Sequence, residues 1–213
     1  MGHKVSPIAT RIPVTKRWQS QWFAPHKNFS VKIAADLKIR NLIEKSYSEQ
    51  AAIANVEIAH RQADIEVTIH SARPGVLIGR QGQGIADLRR KFEKELGRPV
   101  KVEIKEIRKS ELQPKLVAFQ IASGLMRNIA YRRVAKQAME KSMAAGAKGI
   151  KIQLAGRLAG AEIARLEKFS NGLIPSTTLQ KNIDFAAHTI QTSYGSIGIK
   201  VWIYKEVQEQ QEL

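Results

Sequence analysis

Residues 75–85 read GVLIGRQGQGI: four glycines in eleven residues, one arginine among them, and an amphipathic run directly after. Glycine costs backbone entropy, so a folded chain clusters it where φ is positive or where another backbone must come close. Ile85, Leu88, Phe92 and Leu96 fall on one helical stripe, which Gly97 and Pro99 end. The glycines therefore lead into a helix N-terminus, where unpaired N–H groups and the positive end of the dipole attract anions. Gly79 and Gly82 let a sugar-phosphate chain pass close to the backbone. Arg80 adds a cation beside Gln81, and Arg89 and Arg90 follow on the helix.

Upstream, Ile33, Leu37, Ile43 and Tyr47 recur near helical spacing and predict a helix over 28–50. Val56 and Ile58, then Ile65, Val67 and Ile69, alternate with polar residues on either side of a polar break at His60–Asp64. This predicts a β-hairpin over 55–70 with one buried face. The loop itself opens with an apolar turn, Val76–Ile78, and a third strand is expected at 100–107. Two nucleotide motifs do not fit. The dinucleotide fingerprint needs GxGxxG where the chain has G-x-x-G-x-G, and the P-loop lysine with its Ser or Thr is absent. Two further GxxG matches read structurally: Gly146–Gly149 as a helix C-cap, Gly195–Gly198 as hairpin turn chemistry. The remaining reading of Gly79–Gly82 is a clamp for single-stranded backbone, the device of KH domains. Residues 77–85, LIGRQGQGI, resemble the KH signature, and the order helix, hairpin, loop, helix, strand is similar to the type II KH fold.

Residues 108–112 ahead of Pro114 form a charged joint. The pattern from 114 to about 145 is helical, as one or two helices, and strands return from Gly149 in GIKIQLAG, IDFAAHTIQTS and GIKVWIYK. The stretch 165–179, with turn signals at Asn171–Gly172 and Pro175, reads as a connection. The expected fold is α+β in two domains. Residues 1–27 form a basic arm and 28–108 a type II KH domain, a mixed sheet with helices on one side. Residues 109–213 form a C-terminal α+β domain with a mostly antiparallel sheet. In the arm, Pro7, Pro13 and Pro25 break regular structure; Lys4, Arg11, Lys16 and Arg17 are candidate RNA contacts, and Trp18, Trp22 and Phe23 suit docking on protein or RNA.

Thirty-five Lys and Arg against 19 acidic residues leave a net charge of +16 over 213 residues, which argues for a polyanionic partner. Cysteine is absent, and the five histidines include no pair at helical metal spacing, so no metal and no cofactor is expected. No apolar run approaches the roughly 18 residues of a membrane span, and the start has no apolar signal core; a soluble, intracellular protein without a small-molecule substrate is expected.

In 131-YRRVAKQAMEKSM-143, Tyr131, Val134, Ala135 and Ala138 share one helical face, while Arg132, Arg133 and Lys136 share another. Three cations alone suit a solvated face; the net charge favours an RNA-facing one. With GHKVSP at 2–7, W-x-x-x-WFA at 18–24, 69-IHSARPGVLIGRQG-82, 148-KGIKIQLAGRLAGAEIAR-165 and 193-SYGSIGIKVWIYK-205, the chain resembles the bacterial-type small-subunit ribosomal protein number three nearly end to end. The resemblance implies a non-enzymatic constituent of the subunit head, cytoplasmic or organellar. Its implied partners are ribosomal RNA, messenger RNA and the neighbouring proteins ten, fourteen and two. It also implies that Arg132, Arg133 and Lys136 line the channel through which messenger enters and assist its unwinding. Where family members often carry two lysines in the GxxG loop, this chain has Arg80–Gln81. A free-standing KH-type RNA chaperone or regulator is the second reading; a nuclease lacks any metal or acid–base constellation.

Replacing Arg80–Gln81 with Asp–Asp puts two anions where phosphate must approach. The variant is expected to stay folded by circular dichroism and to bind an RNA strand more weakly in a filter assay. Unchanged affinity would remove the loop from the binding surface.

Overall fold

The computed structural model describes residues 5–12, 14–47, 51–61 and 64–205. They form two compact units: Trp18–Arg108, and Met1–Arg17 together with Lys109–Leu213.

In the first unit, β1 (Ser20–Gln21), α1 (His26–Tyr47), β2 (Ile53–His60), β3 (Ile65–Ser71), α2 (Pro74–Ile78), α3 (Gln83–Leu96) and β4 (Val100–Glu106) follow in order. The sheet order is β1-β2-β3-β4. Strands β2 and β3 pair antiparallel, with Ile58 opposite Val67, whereas β3 and β4 run parallel, with Ile69 opposite Ile104. The sheet is mixed because the passage from β3 to β4 runs through α2 and α3, long enough for a crossover. Ile65, Val67 and Ile69 bury one face of the sheet with Ile39 and Ile43 of α1 and Leu88 and Phe92 of α3. A bulge between Ile53 and Asn55 brings Ile53 into that core out of the two-residue rhythm.

The arm expected over 1–27 is divided between the units. Residues 18–25 fold onto the first unit, where β1 adds to β2 and Trp22 Nε1 donates to Asp36 Oδ2 at 2.9 Å. The other Asp36 oxygen meets His60 Nε2 at 2.6 Å, and the carboxylate is buried. Trp18 and Phe23 stay exposed. Residues 5–17 belong to the second unit.

Val76–Ile78, read as a turn, lie in α2, which Pro74 opens. A Cβ on Gly84 would stand 2.4 Å from the Leu77 carbonyl oxygen, so α2 and the start of α3 meet through space that only glycine leaves. Part of the glycine cluster thus serves the chain's own backbone.

The second unit contains α4 (Pro114–Met126), α5 (Tyr131–Ala144), β5 (Gly149–Gly156), β6 (Arg165–Gly172), β7 (Ile183–Thr192) and β8 (Gly195–Tyr204). Its sheet, ordered β6-β5-β8-β7, is antiparallel throughout. Ile150, Ile152 and Leu154 stand opposite Ile203, Val201 and Ile199, and this row packs with α4 and α5 in one core. The two helices approach closely at Gly124, where a Cβ would lie 2.9 Å from Val134 Cγ1.

Two expectations are corrected here. Residues 165–172 are strand β6, not a connection. As an edge strand it buries little, so its sequence lacks the apolar alternation that marks β5 and β8. The β7–β8 turn uses Ser193–Tyr194, with Thr192 paired to Gly195; Gly198 lies inside β8 opposite Ala155, so GSIG is not the turn.

Two predictions follow from packing and charge. Gly84→Ala should cost about 1–3 kcal/mol in a denaturant melt, while Gly75→Ala, whose Cβ would meet nothing within 4 Å, should cost far less. Equal costs would refute the close-approach reading. The second concerns Asp184, which Lys16 and Lys205 both contact, Lys205 Nζ at 2.5 Å. Burial pushes the Asp184 carboxyl up, but Lys205 and Lys16 outweigh it and hold its pKa below the usual carboxylate value. A depressed folded pKa contributes stability above the unfolded value near about pH 4, lost as pH falls through the folded value. Asp184→Asn should therefore lower the Tm at neutral pH and flatten its fall in acid; an unchanged acid limb would refute this.

Candidate nucleic-acid interface

Helix α2 ends at Gly79, whose N–H donates to the Gly75 carbonyl at 3.0 Å while φ turns to 68°. Arg80–Gly82 form a single tight turn in which Gln81 (φ 52°) and Gly82 (φ 78°) both lie in the left-handed region. Two successive left-handed residues reverse the chain and point the Arg80 and Gln81 side chains into solvent, where both are exposed. Gln83, the first residue of α3, donates its N–H to the Arg80 carbonyl; the first turn contains no acidic residue and no side-chain cap, so the positive end of its dipole stays open to an anion.

Arg89 and Arg90 are exposed one to two turns further on. Each has a partner within the helix: Arg89 Nε with Glu93 Oε1 at 2.8 Å, Arg90 Nη1 with Asp87 Oδ1 at 3.7 Å. Exposed pairs of this kind are weak, so a phosphate can compete for either guanidinium. Beside α3 a shallow hollow of about 350 Å³ extends to the edge strand β4, lined by Ile85, Arg89, Val100, Lys101 and Val102 among others. Sequence reasoning placed β4 but missed this groove, because its walls come from segments that only the parallel β3–β4 pairing aligns.

The second cluster lies on α5. Val134, Ala135, Ala138 and Met139 are buried, which turns Arg132, Arg133 and Lys136 outward. Arg132 Nε donates to Tyr131 Oη at 3.1 Å, and its guanidinium sits 5.6 Å from the centre of that ring. Arg133 and Lys136 have no side-chain partner among the described residues. With Gln137 and Glu140 the three cations border an open depression of about 500 Å³. The structure brings the trio together on one helical face and offers it to solvent.

The N-terminal cations divide. Arg11 is 1% exposed, and four of the five N–H donors of its guanidinium go to backbone carbonyls: Lys181 at 2.9 Å, and Pro7, Ser176 and Thr178 at 3.1 Å. It is a clamp inside the fold, not an RNA contact. Lys16 pairs with Asp184, so its ammonium is engaged within the fold. Arg17 is exposed. Lys4 lies outside the described residues. Among the described residues no three histidines and carboxylates converge on a point that could hold a metal, and no helix is long and apolar enough to cross a membrane.

Comparison with known proteins covers both units. Residues 38–112 match the KH domain family, and residues 121–203 match the family described as ribosomal protein S3, C-terminal domain. The chain is 46% identical to small ribosomal subunit protein uS3 of Finegoldia magna, across 96% of the chain and 84% of that relative. It is 43% identical to uS3 of Ectopseudomonas mendocina, across 96% and 90%, and 45% identical to uS3 of Xanthomonas campestris pv. campestris, across 96% and 84%.

Proposed function

The chain belongs to the ribosomal protein S3 family, a structural constituent of the small ribosomal subunit and not an enzyme, and from that premise we propose that it binds RNA at two separate places. The GxxG turn with Gly79, Arg80, Gln81 and Gly82, backed by Arg89 and Arg90, takes a sugar-phosphate backbone of ribosomal RNA. Arg132, Arg133 and Lys136 border the path of incoming messenger and help to separate its paired regions. Arg17 adds a further contact. The protein works on the cytoplasmic ribosome beside proteins ten, fourteen and two of the subunit head.

One observation carries the messenger reading: three cations on one face of a helix whose other face is locked into the core, two of them without a partner among the described residues. A rigid row of charges presents a fixed electrostatic grip, and neutralising phosphates releases counterions wherever a strand touches it. Gripping one strand of a hairpin as it opens disfavours re-pairing, while translocation by the ribosome supplies the work. The match over both units, through the S3 C-terminal domain, favours this reading over that of a free-standing KH-type chaperone.

Arg132→Ala, Arg133→Ala and Lys136→Ala together, in reconstituted ribosomes, should slow translation through a messenger hairpin more than through unstructured messenger. The salt slope of single-strand binding should also fall by about 0.7 per lost contact. Equal slowing on both messengers would mean damage to assembly instead.

A further inference from the structure

The sheet of the second unit buries one face under α4 and α5; the residues of its other face carry their own charge pattern. Register places Lys168, Gln153, Lys200 and Ala187 in one row across β6, β5, β8 and β7. The next row is Ser170, Lys151, Trp202 and Phe185, and the row on the far side is Leu166, Ala155, Gly198 and Thr189. Ser196 and Gln191 extend the face toward the β7–β8 turn. No Asp or Glu stands at any of these positions. The strand carboxylates Glu167 and Asp184 alternate to the opposite face, where Lys16 and Lys205 hold Asp184.

Lys168 and Lys200 are exposed and have no ion-pair partner among the described residues. Two strands apart, their Cα atoms stand about 10 Å from each other, with Lys151 between them one row away. Trp202 is half-buried; Phe185 packs on it at 5.1 Å between ring centres, and Lys151 Nζ lies 5.4 Å from its centre. The indole is thus already engaged, and the four strands offer no exposed ring on which an unpaired base could stack. What remains is a fixed array of lysine heads bordered by Gln, Ser and Thr donors.

We propose that this face is a docking surface for double-stranded RNA, contacted through its phosphates without base readout. Without a ring to stack on, this face offers a single strand no grip on its bases, whereas its lysines can meet the regularly spaced phosphates of a duplex. Phosphate contact also removes the mutual repulsion of the lysines. The surface is separate from the α5 trio and from the GxxG turn, and its existence does not depend on either.

The test uses the full chain, a short blunt RNA duplex and an oligouridine strand, with binding followed across a salt series. The double variant Lys168→Gln, Lys200→Gln should keep the wild-type melting profile and lose about 0.9 from the duplex salt slope per lost contact, with oligouridine binding unchanged. Gln153→Lys, adding a charge between the two, should steepen the duplex slope. Arg132→Ala with Arg133→Ala and Lys136→Ala should do the reverse of the first variant, weakening oligouridine binding and sparing the duplex. An unchanged duplex slope in the folded double variant overturns the proposal; so does an equal loss on both RNAs, which would mark a general cationic attraction. If the double variant fails to fold, a flat response to Gln153→Lys overturns it alone.

Discussion

Both units rest on one constraint, the one-sided burial of a pleated sheet. Successive side chains of a strand point to opposite faces, so a strand that commits Ile65, Val67 and Ile69 to the core commits Glu66, Thr68 and His70 to the other side. Strand β8 does the same with Ile197, Ile199, Val201 and Ile203. Helices must then cover the apolar face, and their own polar faces turn outward by the same logic. The outward position of Arg132, Arg133 and Lys136 follows from the burial of Val134, Ala135, Ala138 and Met139 rather than from any local device.

Charge is distributed by a second sorting. Several carboxylates are consumed by partners within the fold: Asp36 by Trp22 and His60, Asp184 by Lys16 and Lys205, and, on the outer face of β3, Glu66 by Arg61 and Lys101. With 35 cations against 19 acids, such pairing leaves a surplus of lysine and arginine at the surface, and the fold gathers part of it onto rigid elements. Rigid placement matters because a charge held on a helix or strand reaches a phosphate without first losing the freedom of a loop.

Much of this was legible in the amino-acid order. The stripe Ile85–Leu88–Phe92, the alternation of β3 and the two faces of α5 are periodic signals of buried elements, and each element forms where its period changes. The failures share a cause. Strand β6 buries so little that no period marks it, and the β7–β8 turn is set by pairing register, which no single residue announces. Arg11 and Lys16 read as free cations because their partners lie more than 160 residues away: Lys181 for the one, Asp184 for the other. Gly84 looked like part of an RNA-facing cluster, yet the close neighbour is the Leu77 carbonyl. Composition announces that glycine is needed; only the folded chain says against what.

The Arg11 clamp also orders events in time. Residues 5–17 are made long before residues 176–184, yet Arg11 closes on carbonyls at 176, 178 and 181, and Lys16 on Asp184. The unit of residues 18–108 is an insertion between two parts of another unit. It has its own core and strand pairings, so it can fold while residues 5–17 wait for residues 176–184. The segment before residue 18 therefore finds its place only once residues 176–184 have been made, after the intervening unit has had time to fold.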